Sequence, residues 1–319
     1  MKKILKRILL TIVALIVLLF IFGLFLAFLP TTSKTNHAGI TPEQAATLRK
    51  NFKGPHEQFN TSDGVTLFLR RWNPDSITIV KKGVAVLIFH GFTAYSGAYN
   101  MAGLPISAAG YTTFGLDYRG HGLSDGIRGD SPGKDRWIAD LAESVKYVRS
   151  LGFTKVIVLG HSLGVASAIC AADAVPDEIS GLVLMSGAYE GRKGLSDPPG
   201  LFEKTRILAS AIFRPSFPAV EYYRKGMTVS KDSLFNFSYT LRYLTMMDVK
   251  KLRLPKDLNI PVLVAVGNQD ELFEVDKVRD FYDSVPGNKK DFLVMKNTTH
   301  AKIPPESWQQ VVDWLNKNF

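Results

Sequence analysis

The chain has 319 residues, 46% of them hydrophobic, with a formal net charge of +10 and one cysteine. The apolar content is enough for a sizeable core, and a single cysteine, Cys170, excludes an intrachain disulfide. The positive charge is spread thinly, with no run of Lys/Arg alternating with aromatics. It therefore carries no nucleic-acid signature, and fits either an ordinary basic surface or weak attraction to anionic lipid headgroups.

The first element is Ile8–Leu29, 22 almost wholly apolar residues. At about 1.5 Å per residue this run crosses a hydrocarbon core of roughly 30 Å. It is longer than the apolar stretch of a secretory signal, about 7–15 residues, and "LAFLPTTSK" offers no small-x-small cleavage site, so the expectation is an uncleaved anchor. Lys2, Lys3, Lys6 and Arg7 precede the span and only Lys34 closely follows it, which places the N-terminus in the cytoplasm and the remainder on the far side. A connector follows, and His37 and His56, in or near it, carry no chemical signal.

From Gly83 onward strands alternate with helices, the pattern of a mostly parallel sheet covered on both faces. "GVAVLIFHGFTAYSGAY" is a strand running into His90-Gly91-Phe92, with His90 tying down its own loop. "DYRGHGLSDG" reads as a loop with His121 as scaffold. "SPGKDRWIADLAESVKYVRSLG" places Trp137, Leu141, Val145 and Val148 at helical spacing, a crossover helix.

"KVIVLGHSLGVASA" begins as a β-branched strand and ends as a helix whose small residues, Val165, Ala166, Ala168 and Ala171, allow close packing on a sheet. Ser162 stands at the join, flanked by Gly160 and Gly164. G-x-S-x-G between strand and helix is the nucleophile elbow, a sharp turn that lifts the hydroxyl above the sheet. The plainer alternative is a tight turn with an ordinary serine as helix N-cap.

A serine nucleophile needs a base, and the base needs an orienting group, in the chain order Ser, acid, His. Of six histidines only His300 follows Ser162; His161, beside it, reads as packing or bonding locally. Pro261–Val266 reads as a buried strand broken by Gly267, with Asp270 in the loop after it. Glu271 and Glu274 are its rivals, read here as the solvated start of the next helix. "VDKVRDFYDSV" and "DFLVMKN" supply one helix and one strand before "NTTHAK", so three strand ends bring Ser162, Asp270 and His300 to one edge. The backbone N–H groups of Leu163 and Phe92 are the candidate oxyanion donors.

"HGFTAYSGAY", "DYRGHGLSDGIRGD", "GHSLG" and the "GNQDELF … TTH" pair together resemble the α/β-hydrolases, specifically the monoacylglycerol lipase and lysophospholipase group of serine-aminopeptidase-like hydrolases. The resemblance covers roughly Gly54 to Phe319. It implies the α/β-hydrolase fold, with Ser162, Asp270 and His300 as nucleophile, acid and base, and Phe92 and Leu163 at the oxyanion hole. Two departures stand out. Val165 occupies a position where many relatives carry a second glycine, and "HAKIPPES" lacks the usual apolar residue shortly after the histidine.

About 70 residues, Ala188–Asn259, separate the strands "SGLVLMSG" and "IPVLVAVG", too many for one crossover helix. They are expected to form a helical cap over the strand ends. Leu201, Phe202, Ile207, Leu208, Ile212, Phe213, Phe217, Tyr222, Tyr223, Phe235, Phe237 and Tyr239 make it apolar and aromatic, suited to an acyl chain or simply to packing. The expected division is anchor 1–30, linker 31–53, core 54–187, cap 188–259 and core 260–319. In the last helix, read from Ser307, Trp308, Val311, Val312 and Leu315 share a face.

No metal-ligand cluster or dinucleotide fingerprint accompanies the site, so no cofactor is expected. The reading is a single-pass, membrane-anchored hydrolase cleaving a lipid-like carboxylic ester, a monoacylglycerol or lysophospholipid, through an acyl-enzyme. An aminopeptidase is the alternative, with Glu190, Asp197, Glu203 or Glu221 holding the substrate amine; an acyl-transferring or silent membrane partner is another. Nothing in the sequence sets the oligomeric state.

Overall fold

The apolar runs become strands buried on both faces: every residue of those after Gly83 and up to Gly267 is buried except Lys155 at a strand start. The computed structural model describes residues 2–30, 33–76, 78–195, 198–246 and 249–319. Helices α1 (Lys2–Phe28) and α2 (Pro42–Asn51) precede the antiparallel pair β1 (His56–Asn60) and β2 (Thr66–Trp72). Then come β3 (Val84–Phe89), α3 (Asn100–Ala108), β4 (Thr112–Asp117), α4 (Lys134–Ser150), β5 (Lys155–His161), α5 (Leu163–Ala174) and β6 (Gly181–Met185). An insertion holds α6 (Leu201–Phe213), the short strands β7 (Val220–Glu221) and β8 (Ser238–Tyr239), and α7 (Leu241–Thr245). The chain finishes with β9 (Val262–Gly267), α8 (Val275–Ser284), β10 (Lys290–Met295) and α9 (Pro305–Asn318).

Eight strands form one sheet in the order β1-β2-β4-β3-β5-β6-β9-β10, and all pairs from β4 to β10 are parallel. Alternate residues of each strand feed opposite faces. Val156 and Val158 join Trp137, Ile169 and Phe281 beneath α4, α5 and α8, while Ile157 and Leu159 join Ile106, Trp308 and Leu315 beneath α3 and α9. Trp137, Leu141, Val145 and Val148 are all buried, as their helical spacing requires. The last helix starts at Pro305, two residues before the sequence reading, because proline is preorganised for the first helical turn. This is the α/β-hydrolase architecture, mostly parallel with helices on both faces.

The insertion is less helical than expected. Pro215 and Pro218 follow α6, Pro215 in a turn closed by the Phe217 N–H on the Arg214 carbonyl (2.8 Å), so the helix does not resume and the second half is a short hairpin, loops, the single turn of α7 and a 3₁₀ turn at Val249–Lys251. Helix α1 is long and apolar enough to cross a membrane. It is exposed along most of its length, but its C-terminal end packs on α6, burying Leu26 and Ala27 and setting Phe20 edge-on to Phe213 at 5.1 Å.

Candidate active site

Parallel strands end on the same side of a sheet, and the loops after β5, β9 and β10 carry Ser162, Asp270 and His300 there. The three side chains form one line. His300 Nε2 lies 3.0 Å from the Ser162 hydroxyl, and His300 Nδ1 lies 3.1 Å from Asp270 Oδ2. Ser162 has φ +58°, a left-handed backbone that a non-glycine residue adopts only under constraint. The constraint is packing: a Cβ at Gly164 would lie 2.0 Å from the Phe89 carbonyl, so only glycine lets α5 start this close to β3.

Asp270 is buried, which alone would raise its pKa. The hydrogen bond and charge of His300, with amide bonds to Oδ1 from Leu272 (2.8 Å) and Phe273 (2.9 Å), outweigh that and lower it. The carboxylate thus stays charged, and its fixed geometry leaves Oδ2 for the imidazole. Glu274 sits at the cap position of α8, exposed and 3.6 Å from Arg192, as a helix-start acid should. Glu271 corrects the sequence reading. It lies in the loop before α8, where one oxygen accepts the His300 N–H at 2.9 Å and the other accepts Arg224 at 3.2 Å. It braces the loop of His300.

A buried chain of hydrogen bonds, invisible in the sequence, ties the elbow to both neighbouring loops. The Gly91 N–H donates to the Tyr99 hydroxyl (2.7 Å), which donates to His161 Nδ1 (2.7 Å), leaving His161 Nε2–H to donate to the His300 carbonyl at 3.0 Å. That donor order requires a neutral His161. Burial, reinforced by the nearby His300, depresses its pKa to about 3. The bonding expected of His161 is therefore present but reaches 139 residues along the chain. His90 holds its own loop as expected, with Nδ1 bonded to the Gly91 carbonyl at 2.8 Å, and burial depresses it to about 3 as well. His121 is buried scaffold, bonded to the Arg119 carbonyl at 3.1 Å.

Leu163 opens α5, so its N–H belongs to the first turn, where amides lack intrahelical acceptors. Phe92 follows the Tyr99-bonded Gly91; its carbonyl accepts the Tyr239 hydroxyl at 2.8 Å and its ring stacks on Tyr239 at 4.1 Å. Leu163 adjoins Ser162 in the chain, and Phe92 lines both cavities that reach Ser162.

Two cavities meet at Ser162. One, of about 240 Å³, is walled by apolar side chains, among them Val165, Ile169, Phe273 and Phe281. The other, of about 280 Å³, has a mixed lining that includes Thr93, Tyr222, Ser230, Phe235 and Phe237, and Arg224 is the only Asp, Glu, Lys or Arg among its described lining residues. The insertion lines the mixed cavity with Tyr222, Arg224, Ser230, Phe235 and Phe237, and the apolar one with Ala188, Tyr189, Gly191 and Val249. Leu201, Phe202, Leu208 and Ile212 of α6 are instead exposed on the outer surface.

The acidic candidates for an amine site lie elsewhere. Glu203 pairs with Lys34 at 3.7 Å, Glu221 is occupied by the connector, and Glu190 lines a separate cavity beside Arg192 and Lys193. Asp197 lies outside the described residues. Among the described residues no group of three or more His, Cys, Asp or Glu could hold a metal.

Residues 81–303 match the family described as serine aminopeptidase, S33. The chain is 29% identical over 298 residues to a monoglyceride lipase of Homo sapiens, covering 86% of this chain and 94% of that one. It is 27% identical to a monoacylglycerol lipase of Mycolicibacterium smegmatis, covering 78% and 91% respectively. Two longer curated relatives, from Dictyostelium discoideum and Escherichia coli, are spanned over only 28% and 46% of their length. Among solved structures, a soluble variant of monoglyceride lipase from Saccharomyces cerevisiae superposes with a TM-score of 0.62 at 18% identity, covering 91% of this chain and 99% of that one.

Proposed function

The chain belongs to the serine aminopeptidase (S33) family of α/β-hydrolases, and on that footing we propose that it hydrolyses carboxylic esters of lipid type, monoacylglycerols or lysophospholipids. The observation that carries this reading is the Ser162–His300–Asp270 line with an apolar cavity opening directly onto its serine. His300 takes the Ser162 proton as Oγ attacks the ester carbonyl, and the Phe92 and Leu163 amides hold the oxyanion. His300 then protonates the departing alcohol, leaving an acyl-enzyme; water, deprotonated by the same imidazole, releases the acid. Asp270 stabilises the imidazolium at each step. The apolar cavity takes the acyl chain and the mixed cavity takes the alcohol.

The insertion is the cap, and α1 is a membrane anchor. Helix α6 supports that placement, since it packs on α1 and exposes Leu201, Phe202, Leu208 and Ile212. Release of the full-length protein from membranes by alkaline carbonate would count against the anchor. The family's description makes an aminopeptidase the second reading. It is the weaker one, because among the described residues the alcohol-side cavity offers a guanidinium and no carboxylate to receive an ammonium group.

The deciding experiment compares kcat/KM for C2 to C16 monoesters, a triacylglycerol and an aminoacyl amide. Each buried methylene adds about 0.8 kcal/mol, so three or four should raise specificity by roughly one to two orders of magnitude until the cavity ends. A profile flat or falling from C2, or faster cleavage of the amide, refutes the lipid-ester assignment.

A further inference from the structure

The segment between the end of α1 and α2 does more than span a gap. Its residues Ser33–Thr35 wrap one carboxylate of the cap: Glu221 Oε1 accepts the Ser33 hydroxyl (2.7 Å), the Thr35 N–H (3.0 Å) and the Thr35 hydroxyl, while Oε2 accepts the Lys34 N–H. Two residues on, His37 lies between two cap carbonyls, with Nδ1 3.0 Å from Ser230 and Nε2 2.9 Å from Phe235, and its ring meets Phe237 edge-on at 4.7 Å. At the other end of the segment, the Ala27 carbonyl accepts Arg214 at 3.2 Å, and the Arg214 guanidinium lies over the Phe28 ring. The N-terminal segment therefore grips the cap at three places: the end of α6, strand β7 and the 230–237 loop.

Two of those grips, at β7 and at the 230–237 loop, fall on the wall of the alcohol-side cavity. Glu221 precedes Tyr222, and Tyr222, Ser230, Phe235 and Phe237 all line it. Within the cap, that wall rests on β7 and β8, which pair over only two residues each, and on the Tyr222 N–H bonded to the Phe237 carbonyl (2.6 Å); the core adds the Asn236 N–H to the Thr93 carbonyl (3.0 Å) and the Tyr95 hydroxyl to Asp232 (2.6 Å). An isolated hairpin is marginal even when several times longer. A mere tether would need no carboxylate with four donors and no imidazole lodged between two cap carbonyls.

We propose that Ser33–His37 is a clasp that fixes the alcohol-side wall of the active-site cavity, making Glu221 and His37 positioning residues for substrate selection and coupling the anchor to specificity. The inference rests on the proposed ester hydrolysis, in which that cavity receives part of the substrate. Neither residue touches the reacting atoms, so loss of the clasp acts on how a large substrate is held.

The test uses the full-length protein in detergent micelles. Glu221→Gln keeps the side chain's shape but turns an amide NH₂ toward bound donors, and His37→Ala removes the second grip. Each variant is assayed with methyl dodecanoate and a dodecanoyl monoglyceride, which share an acyl chain and differ in the alcohol, alongside thermal melting and limited trypsin digestion at Lys34 and Lys231. The expected result is methyl-ester turnover within about twofold of the parent. The glyceride-to-methyl ratio of kcat/KM falls roughly tenfold, mainly through KM, since misplaced binding groups spare the chemical step. Cleavage at Lys34 and Lys231 accelerates, and the double variant is less than additive because both residues serve one contact. An unchanged ratio overturns the proposal, as does an equal fall on both esters with a lowered melting point, which marks a structural role alone. Should Ser162→Ala retain turnover of both esters, the hydrolase reading fails instead, and unaltered trypsin cleavage in Glu221→Gln and His37→Ala then removes the clasp as well.

Discussion

A left-handed serine held 3.0 Å from an imidazole is a strained arrangement that the surrounding packing must maintain. The proposed chemistry depends on three side chains acting as one unit. Ser162→Ala, Asp270→Asn and His300→Ala should each lower kcat/KM for a short nitrophenyl ester by about 10⁴-fold or more, and the pairs should lose little beyond the singles. Circular dichroism should show the fold retained in each. Near-parental turnover by Ser162→Ala would remove the serine mechanism. Chain order alone nominated these residues, because only one histidine follows the elbow and one strand-end aspartate precedes it. Tyr99, His161 and Glu271 were not legible as a support for that line. Their partners lie 62 residues away for Tyr99–His161 and 29 for Glu271–His300, and no local spacing encodes such contacts.

At the level of elements, the strand–elbow–helix unit was readable because buried strands and close-packed helices impose local patterns on composition. The insertion was readable only by its length. Its apolar residues suit packing, membrane contact and ligand contact equally, and the structure divides them: α6 faces α1 and the outside, whereas Tyr222, Phe235 and Phe237 line the cavity. Val165 illustrates the same limit. Its side chain at the start of α5 is accommodated at Gly187, after β6. A Cβ there would come within 2.5 Å of Val165 Cγ2 and 3.0 Å of the Ser162 carbonyl. Gly187→Ala should therefore destabilise by about 1–3 kcal/mol through overpacking, and adding Val165→Gly should restore part of that loss. Denaturant unfolding of the two single variants and the double variant measures the coupling. Strict additivity would mean that the two positions do not interact.

Over the whole molecule, the groups that bind the loops together also set how it responds to acid. His90 and His161 are buried and neutral, each with its pKa depressed to about 3 from an ordinary 6.5, and burial is the main cause. A depressed folded-state value means that the unfolded chain takes up a proton first. The stability these two contribute is complete above about pH 6.5 and declines as pH falls toward about 3, by up to roughly 1.4 kcal/mol per pH unit for each. A second group acts at lower pH. The hydrogen bond from Arg119 lowers Asp63 to about 2, and Glu143, Glu221 and Asp270 are lowered by their own partners against the opposing effect of burial. Their contributions are present above the ordinary carboxylate range and are lost as each protonates, though Asp63 counts for less because its side chain is 39% exposed. Asp117 runs the other way: burial raises it, so its contribution is lost as pH rises through its folded value. Four carboxylates and three histidines, since burial also depresses His121, against one raised carboxylate give a net loss on acidification. The melting temperature of the Ser162→Ala protein should accordingly be level between pH 7 and 8 and begin to fall near pH 6.5, well above the carboxylate range. His161→Asn, which removes one of the three buried neutral rings, should flatten the upper part of that fall. A melting temperature that stays level to pH 4.5 would show that these histidines do not remain neutral in the folded state, and the donor order from Tyr99 through His161 to His300 would have to be abandoned with it.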